Sequence, residues 1–366
     1  MFLTATNLAH YLLMRGVVDA ATIVDGQFAL RETDTRNRNF IVLTRANQGL
    51  FVKQINELDH LRKTCIRREA HCYQLVKDFP SWAAMMPRLI DFDLERYCLM
   101  ISLLENCENL RDFHAQATHF TAPIGQLLGQ ALADLHLSVG AQERSNLNSE
   151  FFQRQTPWIL TYHQKSRFPV GRLKGACIAL GEEVRQRPEF QYHLSRIRSA
   201  WLFDSVIHYD LKWDNFLVRQ SEGAPIGVQL IDWEFVDVGD AAWDVGSVFQ
   251  SYLAQWIVDH PMSSDLSTQN YIDLVVTQMP QTFILLHAFW ARYAEVMESL
   301  QYSLQPDLVK VIEYAGGRLL QTLFESVVGA EHLNSQALAL LEISQMLVVN
   351  PVDSAKVFFG LEVDAR

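Results

Sequence analysis

Hydrophobic and polar positions change their period about a third of the way along the chain. The opening residues read as a short amphipathic helix beginning near Thr6 or Asn7. Short apolar or alternating runs at residues 27–32, 40–46, 50–55, 87–93 and 96–103 then predict strands. One helical pattern interrupts them, from about 58 to 77, where Leu61, Cys65, Ile66, Ala70, Tyr73, Leu75 and Val76 recur at helical spacing. Beyond residue 110 the helical period takes over. Residues 110–116 and 123–137 predict helices, and in the second Ile124, Leu127, Leu128, Ala131, Leu132 and Leu135 mark one buried face.

Residues 138–187 look polar and irregular, and a helix follows at 189–200. Two short apolar runs, 216–218 and 228–231, flank a Ser-Glu-Gly-Ala-Pro turn and read as a strand pair. The remainder predicts helices at 245–254, with Asp244 at the start, and at 267–276, 281–300, 307–328 and 335–348. Gly316-Gly317 would allow a close helix approach in this tail. Strands thus dominate the first third of the chain and helices most of the rest.

Composition narrows the class. An apolar share of 49% over 366 residues supports substantial cores and room for two lobes. The longest wholly apolar candidate, 283–291, is broken by His287 and falls far short of the roughly 20 residues of a membrane span. The N-terminus lacks a basic segment before a long apolar core, so no secretory signal is expected. A net charge of −11 carries no electrostatic footprint for nucleic acid and suits a cationic small partner. Cys65, Cys72, Cys98, Cys107 and Cys177 form no CxxC pair and leave one over, as expected of reduced thiols in a cytoplasmic protein.

The candidate chemistry concentrates between Val206 and Asp244. Folding the predicted strand pair back on itself brings Asp210, Asn215 and Asp232 to one edge. Transfer of a γ-phosphoryl group needs an orienting carboxylate for the acceptor hydroxyl and oxygen ligands that hold magnesium against the phosphates. Asp210 suits the first role, and Asn215 and Asp232 offer hard oxygen donors for the second. HYDLKWDN, residues 208–215, resembles the catalytic loop of the protein-kinase-like fold, and IDWEF, residues 231–235, resembles its metal-binding segment as it stands in the aminoglycoside phosphotransferase and choline kinase branch. The resemblance implies a two-lobed α+β fold, with a small antiparallel-sheet lobe over residues 1–104 and a larger, mostly helical lobe over 105–366.

It also implies roles for particular residues. The polar loop 33–39, with Arg36, would lie over the ATP phosphates, although it has no glycine, unlike the loop of protein kinases. Lys53 matches the strand lysine that pairs with the α- and β-phosphates; Glu69, with Glu57 a poorer choice, would fix it from the helix. Leu104 and Glu105 would neighbour the adenine. His208 would orient the catalytic loop, Lys212 would stabilise charge on the transferred group, and Glu234 would reach a second metal or bond locally. Asp244 would favour the amides of a helix start, and Asp240 would brace the catalytic loop. His136 reads as a structural histidine. Phe289, Trp290 and Tyr293 read as core or as the wall of an acceptor pocket built by C-terminal helices. The expected activity is magnesium- and ATP-dependent phosphorylation of a small-molecule hydroxyl. The alternatives are a Ser or Thr hydroxyl on a peptide, which Lys212 suggests, and a catalytically silent scaffold, which the glycine-free loop suggests.

Overall fold

The computed structural model describes residues 2–34, 37–44, 49–116, 120–164, 175–263, 266–299 and 306–363. The chain opens with α1 (Leu8–Met14) and the short α2 (Ala20–Val24), whose N-cap Asp19 accepts from the Thr22 amide. Strands β1 (Phe28–Asp34), β2 (Arg38–Thr44) and β3 (Leu50–Gln54) follow, then α3 (His60–Leu75), a turn of helix α4 (Pro80–Ala83), and β4 (Leu89–Asp93), β5 (Cys98–Ser102) and β6 (Cys107–Asn109). The first two strands run further into the predicted loop than the pattern suggested, because Thr33 pairs with Asn39 and Asp34 with Arg38. Arg36 lies outside the described residues.

The helical portion comprises α5 (Leu110–Gln116), α6 (Ala122–Leu137), α7 (Ala141–Ser145), α8 (Gly175–Arg185) and α9 (Pro188–Ser199). Strands β7 (Ser205–Ile207), β8 (Phe216–Ser221), β9 (Ala224–Leu230) and β10 (Asp237–Gly239) lead to α10 (Ala241–Asp259), α11 (Thr268–Gln278), α12 (Phe283–Ser299), α13 (Leu308–Val327), α14 (Ser335–Val349) and α15 (Pro351–Phe359). The segment expected to be irregular therefore carries α7, α8 and a 3-10 turn at Trp158–Thr161. In α8 the buried positions Ala176, Cys177, Leu180, Gly181 and Val184 keep helical spacing, but their small side chains mute the hydrophobic pattern. Part of the stretch, residues 165–174, is outside the described residues.

Two compact units result. The first comprises residues 1–113 and 214–236, the second residues 114–213 and 237–366. In the first, five antiparallel strands stand in the order β1-β2-β3-β5-β4. Phe40, Val42, Val52 and Met100 face a core shared with Leu8, Tyr11 and Leu12 of α1. A second sheet, β6-β8-β9, includes the expected strand pair, longer than its apolar runs alone suggested. The hairpin turns at Glu222 and Gly223, both at positive φ, a backbone that glycine adopts freely.

The second unit is mainly helical, with α6 packed along α12 and α13 lying against both α10 and α14. Gly316 makes the α13–α14 approach possible, since a Cβ there would stand 2.9 Å from the Ser344 carbonyl oxygen. Among the described residues no helix is long and apolar enough to cross a membrane. The five cysteines are free thiols, four of them buried.

Candidate active site

In the first unit, four side chains from three separate parts of the chain meet at the end of a strand. Lys53 sits on β3 between Asn39 of β2 and Leu99 of β5, so its backbone is held on both sides. Its Nζ donates to Glu69 Oε2 at 2.8 Å and Asp232 Oδ1 at 2.5 Å, and lies 3.6 Å from Glu234 Oε2. Glu69 comes from α3, which Asp59 caps by accepting from the Arg62 amide at 2.9 Å. Glu57, the poorer choice, is exposed and lies instead 3.3 Å from Arg62.

Asp232 follows β9 in a left-handed conformation, φ 69° and ψ 55°, which is costly for a residue with a side chain and is held by its surroundings. The next residue, Trp233, is fully buried, donates its indole N–H to the Leu230 carbonyl at 3.0 Å and packs against Trp82. That anchor fixes Asp232 and Glu234 on either side of it.

The charges are strongly coupled. Burial alone would lower the Lys53 pKa, but Asp232, Glu69 and Glu234 outweigh it and raise it well above the ordinary lysine range. Burial pushes the Glu69 carboxyl up, against the pull of the Lys53 ammonium. Carboxylate oxygens of Glu69, Asp232 and Glu234 all lie within 4.8 Å of one another. Asn215 is buried at the same end of the hairpin: Phe216 pairs with Leu230, and the Asn215 carbonyl accepts from the Ile231 amide at 3.1 Å. An all-oxygen donor set of this kind fits a hard divalent cation. Leu104, half-buried, and Glu105, exposed, lie on the connection between β5 and β6.

The second unit carries Asp210, five residues before Asn215 in the chain. Strands β7 and β10 pair, and His208, Tyr209 and Asp210 continue directly from β7. Asp244, fully buried, accepts from the His208 and Tyr209 amides at 2.6 and 2.9 Å, and Trp243 donates its indole N–H to the Tyr209 carbonyl at 3.0 Å. Tyr209 is thereby held at φ 74°. His208 is fully buried, its backbone fixed by the Asp244 bond. Two sequence expectations exchange places here. Asp240 is the N-cap of α10, accepting from the Ala242 amide, while Asp244, one turn inside the helix, braces the loop. Asp240 also accepts from the Leu202 amide and the Tyr314 hydroxyl and pairs with Lys310 at 2.5 Å. The α10 helix begins at Ala241 because the cap precedes it by one residue.

Asp210 itself lies between two cations. Lys212 Nζ donates to Oδ2 at 3.0 Å, and Arg318 Nη2, from α13, donates to Oδ1 at 2.5 Å. Lys212 is 46% exposed at its side chain, Arg318 only 3%. Arg318 was missed from sequence, yet a signal was present. It falls within the run 311–320 of α13, buried on all sides, where a charge demands a partner.

His136 bonds the Tyr293 hydroxyl through Nδ1 at 2.9 Å, a structural role, and Phe289 and Tyr293 are buried where α12 packs on α6.

Residues 28–264 match the family model of the phosphotransferase enzyme family, well over half of the chain. The chain belongs to this phosphotransferase family. The matched stretch contains Lys53, Glu69, Asp210, Asn215, Asp232 and Asp244; Arg318 lies beyond it. Solved structures share the fold of this phosphotransferase. The choline kinase LicA from Streptococcus pneumoniae aligns at 13% identity and a TM-score of 0.50, over 92% of this chain and 99% of that one. LicA in complex with AMP aligns at 12% identity and 0.54, over 95% and 99%. The macrolide 2'-phosphotransferase MphH from Brachybacterium faecium aligns at 13% and 0.50, over 93% and 98%. No curated protein matches the sequence. The phosphotransferase thus has the expected α+β kinase-like fold, an antiparallel sheet region followed by a larger helical one.

Proposed function

We propose that this phosphotransferase is a kinase that moves the γ-phosphoryl group of ATP, with magnesium, to a hydroxyl of a small molecule. The observation that carries the reading is the buried Lys53 ammonium shared by Glu69 and Asp232, with Glu234 close by. A lysine held in that way is aimed and cannot stray, which is what binding a phosphate through a point charge requires. Residues 1–104 would carry the nucleotide and residues 105–366 the acceptor. Leu104 and Glu105 would face the adenine.

Asn215, Asp232 and Glu234 would hold magnesium, which supplies neutralisation of charge on the phosphate oxygens when bound. The rest of the chemistry belongs to side chains. Asp210 would orient the acceptor hydroxyl and take its proton as the new O–P bond forms and the bond from the γ-phosphorus to the bridging oxygen breaks, releasing ADP. Arg318, buried, would keep the Asp210 carboxylate in one orientation. Lys212, with 46% of its side chain exposed, would meet negative charge on the transferred group. LicA and MphH, by their names, act on choline and a macrolide, and both support a small-molecule acceptor here. A negative net charge favours a cationic one. The free thiols support a place in the cytoplasm.

Labelled ATP offered with a panel of small alcohols and Ser- and Thr-containing peptides tests the proposal. Label should appear in a small alcohol, and Asp210→Asn should lower kcat by about a thousandfold or more, because positioning and charge stabilisation supply most of the rate. Full activity in that variant, or label in peptides alone, would overturn it.

A further inference from the structure

A cavity of about 660 Å3 opens within the second unit, between the segment around Arg154 to Thr161, the end of α9 and Phe203. Its size is that of a small-molecule site. None of its lining residues is acidic, although the protein as a whole carries a net charge of −11. Two of them are arginines, Arg154 and Arg198. Among the described residues neither forms an ion pair, whereas Arg196, one helical position pair earlier, is paired with Glu313. Arg198 Nε is shielded from solvent and has no hydrogen-bond partner among the described residues. The neighbour that feels its charge is His163, which burial and then Arg198 both push towards the neutral form. A guanidinium without a carboxylate, next to a histidine kept neutral, leaves positive charge to be met by something else.

The other wall is fixed from behind. The carboxylate of Asp237, nearly fully buried, accepts from the amides of Arg154 at 2.9 Å, Gln155 at 3.1 Å and Val238 at 2.7 Å, so its own charge is spent on the backbone. Arg154 is held at φ 55°, a conformation unusual for a long side chain. Its guanidinium donates to the Phe152 and Arg144 carbonyls, which carry no net charge to cancel it. Trp158 and Phe203, 38% and 43% exposed, provide flat apolar surface, and Gln155 and Thr156 provide polar edges.

We infer that this cavity binds a small organic anion, a charged oxy-acid group borne on a flat apolar body, with Arg154 and Arg198 on the anion and Trp158 and Phe203 against the ring. The inference goes beyond the proposed phosphoryl transfer and does not depend on it.

Calorimetric titration with benzoate as the probe tests it, with benzamide as the neutral control of the same shape. Benzoate should bind the wild type at least about tenfold more tightly than benzamide, and Arg198→Met and Arg154→Met should each weaken benzoate about tenfold or more while leaving benzamide unchanged. Arg198→Lys, which keeps the charge and loses the fork, should weaken it by less and serves if the methionine variants fold poorly. Equal binding of the two probes, no binding of benzoate, or unchanged benzoate affinity in the Arg198 and Arg154 variants would overturn the inference. The titration needs neither ATP nor turnover, so its failure is distinguishable from failure of the kinase reading.

Discussion

The two charge clusters are built on opposite plans. Around Lys53, one ammonium is surrounded by three carboxylates, and it is nearly excluded from water. Around Asp210, one carboxylate lies between two cations, one buried and one partly exposed. An excess of carboxylate in a buried place is unstable without further positive charge, which makes the first cluster a place for a cation. The second cluster already satisfies its carboxylate. The difference teaches that the same carboxylate can be held by one arm shielded from water and one that reaches it. Arg318 is the shielded arm and Lys212 the one in contact with solvent.

Removing the central charge of the first cluster should have the largest effect. Lys53→Met should lower kcat/KM by about a hundred- to a thousandfold. It should also lower the melting temperature of the metal-free protein, since three neighbouring carboxylates lose their shared cation. Added magnesium should recover part of that stability by binding the native state. Melting unchanged by the mutation would break the view that Lys53 holds the cluster together.

A smaller effect is expected from the fixed arm of the second cluster. Arg318→Gln should lower kcat about ten- to a hundredfold with KM for ATP little changed, because Asp210 loses its orientation and the nucleotide does not. Arg318→Lys should restore part of the loss by supplying one donor in place of the guanidinium. If Arg318→Gln altered only the melting temperature, with kcat intact, the arginine would be a packing residue and the contrast between the two arms would fail.

The smallest effect at neutral pH concerns the aromatic floor of the same loop. His114 packs against Trp213 at 4.8 Å and Tyr252 at 5.5 Å between centroids and shares a hydrogen bond with the Tyr252 hydroxyl at 2.9 Å. Burial lowers its pKa from 6.5 to about 4. The folded protein therefore resists a proton that the unfolded chain accepts. Its contribution to stability is complete above about pH 6.5 and is lost as the pH falls towards 4, by up to about 3 kcal/mol. Urea unfolding across that range should show a shallower acid loss in His114→Gln. An unchanged slope would mean that the acid sensitivity of the second unit arises elsewhere.

Much of the site was legible before the structure. The motif residues at 208–215 and 231–235 sit within a few positions of one another, and turn chemistry brings Asn215 and Asp232 to one end of a hairpin. Lys53 stood out as the one charge on its strand and Glu69 as a carboxylate on the next helix; their 2.8 Å contact joins residues only 16 apart. Arg318 is different. It meets Asp210 across 108 positions, and local patterning contains no information on which distant partner a buried charge will find. The exchange of Asp240 and Asp244 has the same origin, since both acids stand near a helix start and only packing decides which one caps it.

The amino-acid sequence by itself determined the strands of the first sheet, the long helices and the motif acids, because each depends on spacing within a turn, a strand or a helix. Tertiary structure alone decided that Arg318 clamps Asp210, that Asp244 rather than Asp240 braces the catalytic loop, and that Arg154 and Arg198 share a cavity without an acid. Those outcomes depend on which helices pack together, and a buried charge takes its meaning from neighbours that only packing supplies.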